Sequence, residues 1–232
     1  MSIDNYDIGP LLGRGGFATV YQAINKQTKE NVAIKIIKKD EMIKNNLKNR
    51  IKNEIKIHDS INNHNNIIKL IDYFEDNDNI YMILELCQYG NFYQYIKTHG
   101  ILKEIEIKHV IYQLLIAIQY LHNNNIVHRD LKLSNILIHS YTHTTHDNNN
   151  TTNNTNNSNH NTNNILLNIK LCDFGLAAKI QNDNEEHYTI CGTINYIAPE
   201  IVTQQAHGYP VDIWSVGCLY YRYYSAVVYS VY

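Results

Sequence analysis

The sequence predicts an α+β fold in two parts, a strand-rich first third followed by a mainly helical remainder. Three observations carry this. Alternating apolar residues flank a glycine turn between Tyr6 and Lys38. Apolar residues recur at helical spacing over Asp40–Ile61 and again over Glu104–Asn123. Two short apolar runs, Ile126–Val127 and Ile136–Ile138, bracket a loop that holds His128, Arg129, Asp130, Lys132 and Asn135. So many polar groups inside an apolar frame are poor packing unless the loop has a task.

Taken in order, Tyr6–Glu30 reads as two strands around the turn Gly13-Arg-Gly-Gly-Phe-Ala-Thr-Val20, with Phe17 at its tip. Asn31–Lys38 is a third strand. Its alternation puts Val32, Ile34 and Ile36 on one face and Ala33 and Lys35 on the other, near Val20. Asp40–Ile61 reads as one helix, because Ile43, Leu47, Ile51 and Ile55 recur every four residues; Glu54 lies at the edge of that stripe. Asn66–Phe74 and Asn79–Leu84, joined by a polar turn, complete a five-stranded sheet. The first lobe is thus 1–84, with a connecting segment at 85–90 and a helical part from 91 to 232.

That second part opens with a short helix at Asn91–Thr98 and a long one at Glu104–Asn123, whose Ile107, Val110, Ile111, Leu114, Leu115, Ile118 and Leu121 form one broad apolar face. Ser140–Asn164 is nearly all Asn, Thr, His and Ser. It buries too little apolar surface to offset its ordering entropy, so it is expected to be disordered. It falls in a surface turn, where closure entropy grows slowly with length. His139, His143 and His146 offer at most an adventitious metal site. Asn168–Leu171 resumes as a strand, and a helix begins near Val211.

Composition excludes several classes. Lys and Arg number 20 against 22 Asp and Glu, a net charge of −2, so no basic face points to nucleic acid. Cys87, Cys172, Cys191 and Cys218 are far apart, match no metal spacing and read as free thiols of a reducing compartment. The N-terminus carries no apolar signal region. The apolar stretch after Val211 is interrupted by Asp212 and Arg222, and a helix apolar all round is also what a buried helix should be, so no membrane partner is expected.

The loop at 128–135 fits H-R-D-L-x-x-x-N at every fixed position, and around it stand Val32-Ala-Ile-Lys35, Asp173-Phe-Gly175 and Ala198-Pro-Glu200 in the right order. From Tyr6 to about Leu219 the chain resembles the protein kinases. The resemblance implies a bilobal kinase fold, ATP and Mg²⁺ as cofactors and protein substrates. It assigns Asp130 to the substrate hydroxyl, Lys132 to the γ-phosphate, and Lys35 to the α- and β-phosphates with Glu54 as its ion-pair partner. Asn135 and Asp173 would hold Mg²⁺. Leu12, Gly13, Gly15, Val20, Ala33, Leu84, Glu85, Cys87 and Leu137 would surround the nucleotide, Glu85 and Cys87 through the backbone of the hinge and Leu84 as gatekeeper. Phe174 would pack beneath the helix of Glu54. Lys132 and Thr193 look like a Ser/Thr enzyme, and Thr189 sits where such kinases are phosphorylated.

The run His187-Tyr-Thr-Ile-Cys-Gly-Thr-Ile-Asn-Tyr196, together with Ala206-His-Gly208, resembles the SAK-like branch of the polo-like kinases. Ala18 replaces the third glycine of the general pattern, as is usual in that branch. The branch implies a role in cell division or at centrioles. It also implies an intracellular location in cytoplasm, nucleus or centrosome, with targeting through polo boxes. The 232 residues contain no polo box, which leaves the targeting partner open. After Cys218 the match stops. The Tyr-rich end has no counterpart of the last three helices, so Glu200 is expected to lack its arginine, and the helix face carrying Trp214, Val216 and Leu219 to lie uncovered. Two alternatives stay open: a pseudokinase-like module that holds ATP or a partner without turnover, and a non-functional fragment.

Overall fold

The sheet forms first along the chain. β1 (Tyr6–Arg14), β2 (Ala18–Asn25), β3 (Asn31–Lys38), β4 (Leu70–Glu75) and β5 (Asn79–Glu85) pair in the order β1-β2-β3-β5-β4, all antiparallel. The computed structural model describes residues 2–61, 64–100, 102–144, 164–180 and 188–229, the side chains of 144 and 223–229 excepted. The glycine turn closes where the Gly15 amide donates to the Ala18 carbonyl at 2.8 Å. The methyl of Ala18 packs on the cluster of Ile37, Met42, Ile51, Leu70 and Met82, a contact that a third glycine would forfeit.

The expected single helix at 40–61 is two: α1 (Lys39–Lys44) and α2 (Lys48–Ser60). Asn45 turns its side-chain amide onto the Glu41 carbonyl at 2.7 Å, and Asn46 takes a left-handed φ of 53°. Such local Asn bonds compete with the helical ladder and end it. The four-residue stripe fails with it: Ile43 is 69 % exposed, and Met42 takes its place in the core. The fourth strand begins at Leu70 rather than Asn66, because Ile67 forms only an isolated bridge to Leu171.

Below the sheet lie α3 (Phe92–His99) and α4 (Glu104–Asn123), then the short strand β6 (Ile126–Val127). Asn91 caps α3 by accepting the Gln94 amide, so the helix starts one residue later than expected. β7 (Ile136–Thr144) and β8 (Asn164–Leu171) form a hairpin arm, and β9 (Ala178–Lys179) pairs with β6. α5 (Pro199–Val202) and α6 (Pro210–Tyr229) come next in the chain. The main core lies between α4 and β8: Leu114, Ala117, Ile118 and Leu121 meet Leu167, Ile169 and Leu171, each at most 1 % exposed. Each such buried aliphatic side chain stabilises by about 1.5–3 kcal/mol.

Two further expectations need correction. The Asn-rich stretch does not begin at Ser140. Ser140 pairs with Asn168 and Thr144 with Asn164, so both arms of the insert carry regular strand; residues 145–163, and with them His146, lie outside the described residues. The arm is fixed to α4 because Glu106 accepts the Ile165 amide at 2.9 Å and Lys103 donates to Asn164 at 3.1 Å. Next, Val216 and Leu219 are buried in the main core against α4, since they face inward from α6. Trp214 and Tyr221 stand out beside a groove of about 600 Å³, and Ile213 is exposed as well. Glu200 is half-buried, and no ion pair of it is found among the described residues. Among those residues no helix is long and apolar enough to cross a membrane, and no group of three His, Cys, Asp or Glu can hold a metal.

Because Thr144 and Asn164 are strand partners, an Asn-Gly turn can replace 145–163 directly. The resulting protein should unfold in urea within about 2 kcal/mol of the parent. A larger loss would mean that the insert contributes packing.

Candidate active site

The cleft between sheet and helices is roofed by one face of the sheet. Gly13 lies opposite Val20, Val20 opposite Lys35, and Lys35 opposite Met82; Ala33 lies opposite Leu84. Strand alternation puts Val20, Ala33 and Lys35 on one side. Leu12 is exposed on β1 and Gly15 stands in the turn beyond it. On the far side Leu137 of β7 bridges Asn91, and the Gly90 carbonyl accepts the Ile138 amide, tying 85–90 to the floor.

Lys35 reaches Glu54 of α2 at 2.5 Å and Asp173 at 3.7 Å. Burial disfavours its charge, but these two carboxylates outweigh burial and raise its pKa above the ordinary lysine value. Asp173 is the mirror case: burial favours the neutral acid, yet Lys35, helped by His128 and the Gly175 amide, holds it below the usual carboxylate value. Both groups are therefore ionised at neutral pH. Gly175 is closely packed: a Cβ there would meet Asp173 Oδ1 at 3.2 Å and Glu54 Oε2 at 3.3 Å, so a larger residue would push on both carboxylates.

The loop after β6 collects the remaining polar groups. Asp130 Oδ1 accepts from the Thr193 hydroxyl at 2.7 Å, and Oδ2 from Lys132 Nζ at 2.7 Å and from Asn135 Nδ2 at 3.2 Å. Lys132 Nζ also donates to the Thr193 hydroxyl at 3.2 Å. The second hydrogen of the Asn135 amide nitrogen goes to the Asp130 carbonyl at 2.9 Å, and the amide oxygen takes no hydrogen bond among the described residues. His128 accepts the Asp130 amide on Nδ1, so its Nε2–H donates to the Cys172 carbonyl at 3.2 Å. Beneath the loop Asp212 accepts the backbone amides of His128 at 2.9 Å and Arg129 at 2.8 Å. Phe174 lies between His58 and His128, ring centroids 4.9 and 5.3 Å away, with α2 above it.

At the connecting segment, Glu85 is the last residue of β5, and its carboxylate pairs with Lys170 at 3.0 Å and lies 3.6 Å from His139. Cys87 is buried, and burial pushes its thiol up to about 12; burial likewise raises the Cys172 thiol. Neither is a nucleophile at neutral pH. Thr189 is exposed. Two residues on, the Cys191 thiol is raised chiefly by burial, and the next residue, Gly192, packs against the Arg129 carbonyl. Arg129 Nη1 is buried without a partner among the described residues.

The structure thus brings Lys35, Glu54 and Asp173 into one cluster and Asp130, Lys132, Asn135 and Thr193 into another. Sequence reasoning missed Arg50, Asn53 and Lys170. Arg50 Nε donates to the Gly175 carbonyl at 2.6 Å and Asn53 Nδ2 to the Ala177 carbonyl at 3.1 Å. The only available signal for these two was their spacing from Glu54, which places all three on one helix face.

The protein kinase domain family model matches residues 6–230. Over 211 residues the chain is 42 % identical to the serine/threonine-protein kinase polo of Drosophila melanogaster, covering 91 % of this chain and 32 % of that protein. It is 39 % identical over 221 residues to the serine/threonine-protein kinase PLK4 of Xenopus laevis, covering 95 % and 21 %. It is also 39 % identical over 221 residues to a probable serine/threonine-protein kinase, CCRP1, of Zea mays, covering 95 % and 31 %. The chain spans between a fifth and a third of the length of these relatives. Matched over nearly its whole length and alike to polo and PLK4, the chain belongs to the protein kinase domain family.

Proposed function

We propose that this chain transfers the γ-phosphoryl group of ATP to serine and threonine hydroxyls of proteins. The observation that carries the reading is the Asp130 carboxylate, which accepts a threonine hydroxyl on one oxygen and the Lys132 ammonium on the other. That pair can orient an incoming hydroxyl, accept its proton at Asp130 and leave a fixed cation beside the transferred group. Lys35, kept charged by Glu54 and Asp173, grips the α- and β-phosphates. Gly13 and Gly15 let the turn close over the phosphates. Leu12, Val20, Ala33, Leu84 and Leu137 enclose the base, with the backbone of Glu85 and Cys87 as its hydrogen-bonding edge.

The residues fit Mg²⁺. An ionised Asp173 and the Asn135 amide oxygen are hard oxygen donors, few enough to leave room for phosphate oxygens and water. When bound, Mg²⁺ neutralises charge on the triphosphate. In this reading 1–84 is the covering lobe, 85–90 the hinge and 91–232 the substrate-side lobe. The likeness to polo and PLK4 favours an intracellular role in cell division or at the centriole.

Asp130→Asn should lower kcat by about 10²–10⁴-fold and leave ATP affinity within about threefold, because the lost group acts on the acceptor hydroxyl. Calorimetric ATP binding beside peptide kinetics separates the two, and parental turnover would remove Asp130 from the mechanism. Lys35→Met should cut kcat/KM by at least about 10²-fold; a value equal to the parent would make the Lys35–Glu54 pair structural only.

Thr189 is the regulatory hydroxyl in this reading. Its phosphate, carrying about −1.5 to −2 charge, would pair with Arg129, whose Nη1 has no partner among the described residues. Mass spectrometry after incubation with Mg-ATP should find phosphate on Thr189, and Thr189→Ala should be about tenfold slower on a peptide. Undiminished activity in that variant would rule out the switch.

A further inference from the structure

Asp173 is held in the left-handed region, at φ 66°. A non-glycine residue stays there only where its surroundings over-determine it. The backbone just beyond Asp173 supplies that constraint. Three consecutive backbone carbonyls are each capped by a side chain: Gly175 O by Arg50 Nε at 2.6 Å, Leu176 O by Arg129 Nε at 2.8 Å and Ala177 O by Asn53 Nδ2 at 3.1 Å. Two of the three donors stand on α2. Arg50, Asn53 and Glu54 occupy positions i, i+3 and i+4, which form one face of a helix. A single helix therefore holds Lys35 through Glu54, and holds the backbone after Asp173 through the other two.

Asn53 is the informative member. It is a largely exposed helix residue, where a polar side chain ordinarily points to water. Here its amide instead reaches a carbonyl 124 residues away in sequence. A backbone carbonyl only accepts, so the contact requires a donor at position 53. Arg129 is also the cation proposed for a Thr189 phosphate, whereas Asn53 carries no charge that such a phosphate would use.

We infer that Asn53 is a positioning residue for Asp173: its bond to Ala177 O, beside that of Arg50 to Gly175 O, fixes the turn that aims the Asp173 carboxylate at Mg²⁺-bound triphosphate. The inference rests on the kinase reading above. It makes α2 a two-handed element, whose approach sets Lys35 and Asp173 together. Asn53 acts only on the second of these.

The test compares the full chain with Asn53→Asp, Asn53→Ala and Asn53→Gln. Aspartate is nearly isosteric but cannot donate when ionised, alanine removes the group, and glutamine keeps an amide donor. ATP affinity is measured by calorimetry with Mg²⁺ and with EDTA, and hydrogen exchange is followed in the peptide spanning 173–178. In EDTA all four proteins should agree within about twofold. The gain in affinity on adding Mg²⁺ should fall by about three- to tenfold in N53D and N53A, the loss expected for one hydrogen bond, and survive in N53Q. Exchange across 173–178 should quicken in N53D and N53A alone. A full Mg²⁺-dependent gain in N53D overturns the inference and leaves the kinase reading standing. An equal loss with and without Mg²⁺ also overturns it, since Asn53 then supports the fold at large. A parent chain that gains nothing from Mg²⁺ overturns the kinase reading and the inference together.

Discussion

One fully buried carboxylate, that of Asp212, holds the site in place. Removing a carboxylate from water costs several kcal/mol unless donors replace the solvent. Asp212 receives them from the backbone amides of His128 and Arg129 and from His122 of α4, each at 2.8–2.9 Å. It also stands in the first turn of α6, where the helix dipole favours a negative charge. The bond to the Arg129 amide fastens a residue in a left-handed conformation, φ 66°. The same neighbourhood explains Gly192, whose φ is +107° and whose Cβ would come within 2.9 Å of the Arg129 carbonyl. From this anchor the order propagates: His128 turns its ring to the Cys172 carbonyl, and Cys172 leads directly into Asp173.

The upper layer meets that anchor through one aromatic ring. Phe174 contacts His58 of α2 on one side and His128 of the loop on the other. His58 is buried, and its Nε2 faces the Ile68 carbonyl at 2.7 Å, so that nitrogen carries the proton; burial lowers the pKa of the ring. A neutral ring against Phe174 packs without the desolvation cost of an imidazolium. The helix that presents His58 also presents Glu54, so apolar packing on Phe174 and the ion pair with Lys35 support the same position of α2.

The floor of the cleft is built differently from its roof. The roof is cross-strand register, which fixes Val20, Lys35 and Ala33 to within a residue. The floor is a loop whose side chains hold one another: Asp130 binds Thr193, Lys132 and Asn135 at once. Networks of this kind polarise one another in a low dielectric and are costly when half satisfied. Small displacements of α6 or of the segment around Thr193 therefore reach Asp130 directly.

The sequence by itself determined what depends on local period and on the order of motifs. The helix at 104–123 and the strand at 31–38 stand where their periodicity placed them, and the α+β class followed from the switch between the two periods. The side chains of Lys35, Glu54, Asp130, Asn135 and Asp173 were nameable because each lies in a short run of fixed spacing. What only the tertiary structure decided involves partners far away in the chain. A helical period ran unbroken through Asn45 and Asn46, yet two asparagine backbone effects divide it. The Asn-rich composition hid a strand pair reaching to Thr144 and Asn164, because pairing and the contact with Glu106 are not compositional. Val216 and Leu219 are covered by α4, about a hundred residues earlier. Arg50 and Asn53 bind carbonyls more than 120 residues on, and a polar residue on a helix carries no local mark of which distant backbone group it will meet.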